Sequence, residues 1–348
     1  MKQNIRHLSI EELQEQFVAL GEPKFRAGQV WQWIWQKGAA GFEEMTNLPK
    51  AFRDKLAEHY DVFKMSVADK QLSSDKTIKC GFRLYDQEFV EGVLIPQEKR
   101  MTACVSSQVG CSLTCSFCAT ARLARKRNLY FDEIYDQVDM LNRMALETYG
   151  SHLSNIVLMG MGEPLLNYSN VMKAIERITA EDGLGMAAKR ITLSTAGIAK
   201  MIKKLGDDEV TFNLAVSLHA ANDEKRNRIM PINETNSLAA LKEALEYFYA
   251  KTGTRVTYEY VMLQNENDTP QDALELAAFS KYVPSKINLI EYNPIENGIY
   301  QKSSGNAIHR FKALLEEKGC IVNIRRSRGE DIDAACGQLA NRQAAGSL

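Results

Sequence analysis

The chain has 348 residues, with 43 lysines and arginines against 44 aspartates and glutamates and a formal net charge of −1. Hydrophobic residues make up 45% and charged residues 25%, a composition that is typical of globular proteins and excludes global disorder. Because the charges balance, nucleic-acid binding would have to depend on local clusters of basic residues. No apolar run is long enough to span a bilayer, and the first residues lack the apolar core of a secretory signal, so we expect a cytoplasmic protein.

Residues 1–75 are predicted to form an N-terminal helical accessory domain. Ser9 and Glu12 have the spacing of a capping box at the start of one helix, and Pro49 begins another helix that runs through Leu56. Between them, the segment FRAGQVWQWIW carries all three tryptophans, Trp31, Trp33 and Trp35, at roughly helical spacing. We interpret the tryptophans as part of a small helical core rather than as a surface that stacks on bases.

Residues 76–100 are predicted to form a β-hairpin extension. The runs IKCGFRLYD and EFVEGVLIP are rich in β-forming residues, and a short polar turn separates them. The change from a helical period to a period of two marks the boundary with the preceding helical domain.

Residues 101–348 are predicted to form an α/β core in which strands alternate with helices. Such alternation implies parallel strands with crossover helices, and in barrels of this kind the active site lies where strands end. The predicted strands are TACVS, SNIVLM, RITLS, FNLAVSL, RVTYEYVML, KINLIEY and CIVNIR, and the clearest helices span 131–148, 169–180, 236–251, 271–281 and 306–318.

The loop after the first core strand contains a cluster of cysteines. Cys111, Cys115 and Cys118 form a C-x3-C-x2-C motif, and three thiolates in one short loop can hold three corners of an iron–sulfur cubane. Structural zinc would usually require a fourth ligand, and a thioredoxin-like motif would leave Cys111 unexplained. The missing fourth ligand would leave one iron open to a small molecule.

This cysteine spacing resembles that of the radical S-adenosylmethionine (SAM) superfamily, and further motifs resemble the bacterial radical SAM RNA adenine C2-methyltransferase family. The resemblance runs from about Phe25 to the C-terminus. It implies a partial (β/α)6 radical SAM barrel and methylation of C2 of an adenosine in 23S rRNA and of an adenosine in the tRNA anticodon loop. The motifs are MGMGEPLLN (159–167), LSTAG (193–197), SLHA (217–220), NLIEYNP (288–294) and DIDAACGQL (331–339).

The resemblance also implies two cofactors, a [4Fe-4S] cluster on the three loop cysteines and SAM. Judged from the residues alone, glycines beside a strand end let the backbone approach a ligand, and the Glu163 carboxylate could accept hydrogen bonds from an ammonium group. His219 could equally be a structural histidine at a strand end. The SAM contacts that the family implies are Gly162, Glu163, Ser194, Ser217, Leu218, His219 and Asn293.

The target chemistry gives two more cysteines a role. Adenine C2 is not nucleophilic, so a carbon radical must attack it. In the family, one SAM methylates the cysteine that matches Cys336, and a second SAM, cleaved at the cluster, yields the radical that activates that methyl group. Glu91 matches the general base for the C2 proton, and Cys104 matches the thiol that releases the product through a transient disulfide. Without these motifs, Cys104 and Cys336 would equally be buried core thiols, as we interpret Cys80 and Cys320.

Two groups of basic residues flank the segments with these roles, and we predict that they contact RNA phosphates. The expected partners are 23S rRNA, tRNA and an electron donor such as flavodoxin, with no membrane and a monomeric chain. The basic residues are Arg122, Arg125, Lys126, Arg127, Arg325, Arg326 and Arg328.

Two other functions remain open at this point. Related antibiotic-resistance enzymes methylate adenine at C8 and share the cysteine pattern, so the spacing alone does not exclude that reaction. In a non-catalytic RNA-binding iron–sulfur protein, Cys104, Cys336 and Glu91 would have no catalytic role and SAM would not be consumed.

Overall fold

Strands and helices alternate along most of the chain, which the computed structural model describes from residue 2 to residue 341. Within that range the strands are β1 (Gln3–Asn4), β2 (Tyr60–Asp61), β3 (Ser66–Leu72), β4 (Ile78–Arg83), β5 (Phe89–Gln97), β6 (Arg100–Cys104), β7 (Gln108–Val109), β8 (Arg127–Asn128), β9 (Asn155–Leu158), β10 (Ile191–Thr195), β11 (Asn213–Ser217), β12 (Val256–Met262), β13 (Ser285–Glu291) and β14 (Val322–Arg325). The α-helices are α1 (Ile10–Ala19), α2 (Phe25–Trp35), α3 (Lys50–His59), α4 (Phe131–Tyr149), α5 (Tyr168–Thr179), α6 (Ala199–Asp207), α7 (Asp223–Ile229), α8 (Leu238–Thr252), α9 (Pro270–Phe279) and α10 (Gly305–Glu317).

One large sheet has the strand order β14-β13-β12-β11-β10-β9-β6-β5-β4-β3. The seven strands from β6 and β9 to β14 are all parallel, and each is joined to the next by a crossover that contains one or two helices. All seven residues of β12 are buried, because parallel strands in such a fold are covered on both faces. The predicted α/β fold with six strand–helix units is therefore confirmed.

The structure adds elements that the sequence pattern did not predict. β3 pairs antiparallel with β4, so the extension has three strands, although residues 66–72 lie within the segment that we expected to be helical. Most of β3 is exposed and polar, which explains why it shows no alternating apolar pattern. Helices α6 and α7 were also missed, since α7 has only seven residues and consists mainly of charged ones.

The N-terminal helices pack against α4 through aromatic residues. Trp35 is almost fully buried and packs against Phe131 and Tyr135, with ring centroids 5.9 and 5.2 Å away. Trp31 and Trp33 are half-buried and pack at the edge of the same core. The tryptophans thus form part of a helical core, as predicted. None of the described helices is both long enough and apolar enough to cross a bilayer.

A buried ion pair fixes the start of the chain to α4. The Arg6 guanidinium donates two hydrogen bonds of 2.7 Å to the two carboxylate oxygens of Asp136, and Asp132 lies 3.6 Å away. All three side chains are almost fully buried. Burial alone would lower the pKa of Arg6, but Asp136 and Asp132 raise it above its ordinary value. The charge of Arg6 is therefore maintained by two carboxylates of the barrel.

We predict that Arg6→Leu lowers the free energy of unfolding by about 3–5 kcal/mol, because two buried carboxylates would lose their cation. Chemical denaturation followed by tryptophan fluorescence measures this, since all three tryptophans lie in α2. Lys312→Ala, which breaks the surface pair with Glu316, is the control and should cost less than about 1 kcal/mol. Equal losses in the two variants would contradict the anchoring role of Arg6.

Candidate active site

A cavity of about 930 Å³ lies along the inner side of the parallel strands and reaches the loops that follow them. This is the position at which barrels of parallel strands carry their active sites. Leu218 is fully buried and Glu91 lies nearby, but neither lines the cavity. The remaining predicted site residues do line it: Cys104, Cys111, Cys115, Cys118, Gly162, Glu163, Ser194, Ser217, His219, Asn293 and Cys336.

The loop between β7 and β8 carries the three predicted cluster ligands. The backbone N–H of Cys111 donates to the Leu123 carbonyl at 3.3 Å, and Cys118 closes a turn on Cys115 at 3.2 Å. Cys111, Cys115 and Phe117 pack on a group of buried apolar side chains. The loop is thus held on an apolar surface that keeps water away from the thiols. That apolar group consists of Leu113, Ala196, Ala220, Ile229, Met230, Val261, Leu263 and Tyr292.

The three thiols are mutually close and poorly solvated. Burial raises the pKa of Cys111 to about 11 and also raises the pKa values of Cys115 and Cys118, and neighbouring thiols add to the effect. Thiolates in such a place require a compensating positive charge, which bound iron supplies. Among residues 2–341, no three His, Cys, Asp or Glu side chains converge on one metal ion. A cubane presents its irons at separate corners, so this donor set fits a cluster and not a single ion.

Two glycines in the MGMGEPLLN loop allow it to approach the core closely. A Cβ on Gly160 would lie 2.7 Å from the Ser106 hydroxyl oxygen. Gly162 has a φ of +95°, and a Cβ there would lie 2.5 Å from the Cβ of Gln108. Any side chain would therefore displace the loop, and with it the following Glu163.

Glu163 is buried and joins two of the loops that line the cavity. Its Oε1 accepts from the backbone N–H of Leu165 at 3.0 Å, and its Oε2 accepts from that of Ala196 at 2.7 Å. Burial raises the pKa of Glu163, while these N–H donors oppose the shift. A carboxylate has about four acceptor positions, so this one can still accept from a ligand ammonium group.

Arg226, which the sequence did not indicate, fixes the loops after β10 and β11. Its guanidinium is fully buried and donates to the carbonyls of Ala196 at 2.7 Å, Leu218 at 3.0 Å and Ser217 at 3.3 Å. Burial lowers the pKa of Arg226 to about 10. One cation thus orients the STAG and SLHA segments toward each other. It lies among the charged residues of α7, where nothing in the sequence distinguishes it from a surface arginine.

His219 lies in a left-handed backbone conformation, with a φ of +56°, and is buried. Its Nδ1 accepts from the backbone N–H of Val261 at 3.0 Å, and its carbonyl accepts from Asn267 at 2.7 Å. Burial, together with the nearby Arg226, lowers the pKa of His219 to about 3. The ring is therefore neutral at physiological pH and serves as a hydrogen-bond acceptor.

Cys104 and Cys336 are brought together although they are far apart in the sequence. Cys104 is the last residue of β6 and is buried, whereas Cys336 is exposed on the C-terminal segment. Burial, and next the proximity of Cys336, raise the pKa of Cys104 to about 12, while Arg325 opposes the shift. Cys336 also interacts electrostatically with Cys118 of the cysteine loop. Both thiols thus line the cavity that the predicted cluster ligands also line. All seven cysteines are free thiols in this structure.

Cys336 belongs to residues 334–341, which we call the carrier segment. The Gly337 carbonyl accepts from the Ala119 N–H at 2.7 Å, and the Leu339 carbonyl accepts from the Thr120 hydroxyl at 2.7 Å. Asn293 Nδ2 donates to the Cys336 carbonyl at 3.2 Å. These bonds tie the carrier segment to the cysteine loop and to the loop after β13.

Glu91 faces the same side of the sheet as Cys104. Val93 lies directly opposite Cys104 in the pairing of β5 with β6, and Glu91 precedes Val93 by two residues. Its Oε2 accepts from the backbone N–H groups of Ala340 at 2.8 Å and Asn341 at 3.2 Å. The carboxylate is thus covered by the end of the carrier segment.

Two charged residues near the site were also missed by the sequence analysis. The buried Lys79 ammonium of β4 lies 3.7 Å from Oε1 of Glu91. Glu259 of β12 is buried, and its Oε2 accepts from Arg325 at 3.2 Å. For Glu259 the available signal was a single charged residue within β12, because a charge at a buried position must be compensated by a partner.

The basic residues that we predicted to contact RNA have different surroundings. Arg127 is held by Asp86 and Glu133, and Lys126 pairs with Glu88. The Arg122 guanidinium donates to backbone carbonyls of the loop after β13.

Arg325, which we also predicted to contact RNA, lies beside two residues of the cavity. Its guanidinium donates to Cys336 and Glu259.

The other two cysteines lie outside the cavity. Cys80 is fully buried with its sulfur 3.6 Å from that of Met144, and burial raises its pKa to about 12. Cys320 is half-buried beside the Ser280 hydroxyl, 3.4 Å away. Both positions agree with the interpretation of these residues as structural thiols.

Comparisons with known proteins identify both parts of the chain. Residues 3–62 match the family model described as ribosomal RNA large subunit methyltransferase N-terminal domain, and residues 105–277 match that of the radical SAM superfamily. A protein of Cytophaga hutchinsonii named probable dual-specificity RNA methyltransferase RlmN is 59% identical over 98% of this chain and 94% of its own. A Flavobacterium johnsoniae protein of the same name is 54% identical over 99% and 98%.

The fold has a close match among solved structures. The crystal structure of a radical SAM methyltransferase from Sphaerobacter thermophilus is 38% identical in sequence and superposes with a TM-score of 0.91. The match covers 97% of this chain and 99% of the other. The predicted radical SAM barrel with an N-terminal accessory domain is therefore confirmed.

The neutral state of His219 leads to a prediction about pH. Because its pKa is about 3 in the folded protein and 6.5 ordinarily, the unfolded chain binds the proton more readily. The stability that the neutral His219 contributes to the folded protein is complete above pH 6.5 and is lost as the pH falls toward 3. Between about pH 7.5 and about pH 5.5, this should cost about 1 kcal/mol.

Denaturant titrations at those two pH values measure the effect. His219→Asn should remove most of the loss, since Asn supplies the same acceptor and tolerates a positive φ. The matched control is His152→Asn at an exposed histidine, which should retain the pH dependence of the wild type. An unchanged pH dependence in His219→Asn would exclude a buried neutral histidine.

Proposed function

The chain belongs to the RlmN family of dual-specificity radical SAM RNA methyltransferases, and we propose that it methylates C2 of an adenosine in 23S rRNA and of an adenosine in the tRNA anticodon loop. The observation that carries the proposal is that Cys104 and Cys336 line the same cavity as the three loop cysteines. A methyltransferase acting directly from SAM would need neither thiol.

Enzymes of the radical SAM superfamily use a [4Fe-4S] cluster and SAM, and the donor set of this chain fits both. Cys111, Cys115 and Cys118 would hold the cluster. Once bound, the cluster and SAM would supply a methyl group and a radical that removes a hydrogen atom from it, and the oxidised cluster would take up the electron released when the resulting carbon bonds to C2. The predicted SAM contacts are Gly162, Glu163, Ser194, Ser217, Leu218, His219 and Asn293, and the ties made by Glu163 and Arg226 preorganise the loops that carry most of them.

In the proposed mechanism, Cys336 carries the methyl group that becomes bonded to adenine C2. Glu91 then takes the proton from C2, which requires Ala340 and Asn341 to release its carboxylate. The Cys104 sulfur next bonds to the Cys336 sulfur while the carbon–sulfur bond breaks. The electron pair of that bond, with a proton, completes the methyl group, and a dithiol reductant restores both thiols.

The partners follow from this chemistry. Two SAM molecules are consumed for each methylation, and an electron donor such as flavodoxin reduces the cluster. We further propose that the chain acts as a monomer in the cytoplasm, because the thiols with proposed roles and most of the predicted SAM contacts line a single cavity of one chain.

The proposed product is tested by nucleoside mass spectrometry after anaerobic incubation with SAM, reductant and rRNA that lacks the modification. We expect 2-methyladenosine, and none from Cys336→Ala, because the methyl carrier is then absent. A product methylated at C8 would instead support the antibiotic-resistance activity. If SAM were not consumed at all, the chain would be a non-catalytic RNA-binding iron–sulfur protein.

The roles of the two thiols predict different products in variants. Cys104→Ala should accumulate a covalent protein–RNA adduct, visible as a slow, ribonuclease-sensitive band on a denaturing gel, because radical addition proceeds without release. Cys336→Ala should form no adduct, and the double variant should behave like Cys336→Ala since the two residues act in sequence. The control is Cys320→Ala, a thiol outside the cavity. Normal turnover by Cys104→Ala without any adduct would refute the mechanism.

A further inference from the structure

The side chain of Arg325 connects a buried carboxylate to the proposed methyl carrier. Its Nη1 donates to Glu259 Oε2 at 3.2 Å, and the Met159 sulfur lies 3.6 Å from the same nitrogen. Its Nη2 donates to the Cys336 sulfur at 3.4 Å. Among residues 2–341, no other side chain makes a hydrogen bond to that sulfur.

The buried carboxylate of Glu259 fixes the orientation of Arg325. Glu259 is buried in β12, and its second carboxylate oxygen accepts from Asn288 Nδ2 at 2.9 Å. Both oxygens are thus occupied, and a buried carboxylate strongly favours retention of its cation. One end of the guanidinium fork is held by Glu259, which leaves the other directed at the Cys336 sulfur.

We propose that Arg325 prepares Cys336 to accept the methyl group by donating a hydrogen bond to its sulfur and directing that sulfur into the cavity, with Glu259 as the positioning residue for Arg325. The inference rests on the proposed function of Cys336. In the step concerned, the thiol has already lost its proton to solvent. A bond forms between the Cys336 sulfur and the methyl carbon while the carbon–sulfonium bond of SAM breaks, and its electron pair stays on sulfur as S-adenosylhomocysteine is formed.

The expected size of the effect follows from thiol chemistry. Stabilising a thiolate increases its fraction tenfold for each pKa unit but lowers its intrinsic reactivity by about half as many powers of ten. The loss of a positive charge beside a nucleophilic thiol therefore slows its reactions by about three- to tenfold. Arg325→Gln should slow the reactions of the Cys336 sulfur by that factor.

A role for Arg325 in RNA binding predicts a different outcome. Methyl loading of Cys336 needs no RNA, so an RNA-contacting residue would leave loading unchanged and would only weaken RNA binding. Arg310, an exposed residue of α10 that does not line the cavity, is the matched control for loss of one positive charge. Measurements on Cys336 without RNA therefore separate the two roles.

The experiment uses protein produced without its cluster, so that Cys336 is unmethylated, and then reconstituted to the holoenzyme. Iodoacetamide labelling of the Cys336 peptide, followed by mass spectrometry without SAM or RNA, measures the reactivity of this thiol directly. Methyl loading from SAM is measured in parallel. We expect Arg325→Gln and Arg325→Met to be slower by about three- to tenfold in both assays, Arg325→Lys to recover most of the rate, and Arg310→Gln to match the wild type.

Labelling of Arg325→Gln at the wild-type rate would overturn the proposal, and so would equal slowing in Arg310→Gln. Iron content verifies that each variant is folded, and if Arg325→Gln does not fold, the comparison of Arg325→Met with Arg325→Lys decides the outcome. Failure of the proposed function can be distinguished from failure of this inference. In that case the wild type would take no methyl group on Cys336, while iodoacetamide labelling of Cys336 would still depend on Arg325.

Discussion

The site depends on how the carrier segment is tied across the mouth of the barrel. The sheet positions only Cys104, which lies at the end of a strand. The second thiol must come from elsewhere in the chain. The carrier segment supplies it through bonds from the Gly337 and Leu339 carbonyls to the cysteine loop. Each such bond contributes only about 1 kcal/mol net, so the segment is held in register yet can detach from its partners.

The walls of the cavity are held by buried charges rather than by single hydrogen bonds. Arg226, Glu163 and Glu259 are buried charges whose polar atoms are engaged by backbone groups or by an opposite charge. A buried charge that lost its partners would be costly, so each of these side chains strongly restrains the loops it joins. Rigid walls and a weakly tied carrier suit a reaction in which SAM stays in place while one sulfur first receives a methyl group and then presents it to RNA.

Much of this arrangement could be predicted from the sequence, and the failures have physical causes. The parallel strands were predictable because residues buried on both faces form apolar runs, as in β12. β3 was missed because it is exposed, and its pairing with β4 depends on the backbone rather than on a pattern of side chains. The cysteine motif was visible because its three ligands lie in one loop. The association of Arg325 with Glu259 joins β14 to β12, a contact that only the folded sheet creates.

The position of Glu91 shows why the last residues of the carrier segment matter to the chemistry. The amides of Ala340 and Asn341 both donate to Oε2 of the Glu91 carboxylate, and these residues follow Cys336 by only a few positions. The same short stretch therefore carries the thiol that would receive the methyl group and holds the carboxylate that would take the C2 proton. Chain connectivity thus links the placement of the proposed base to that of the proposed carrier.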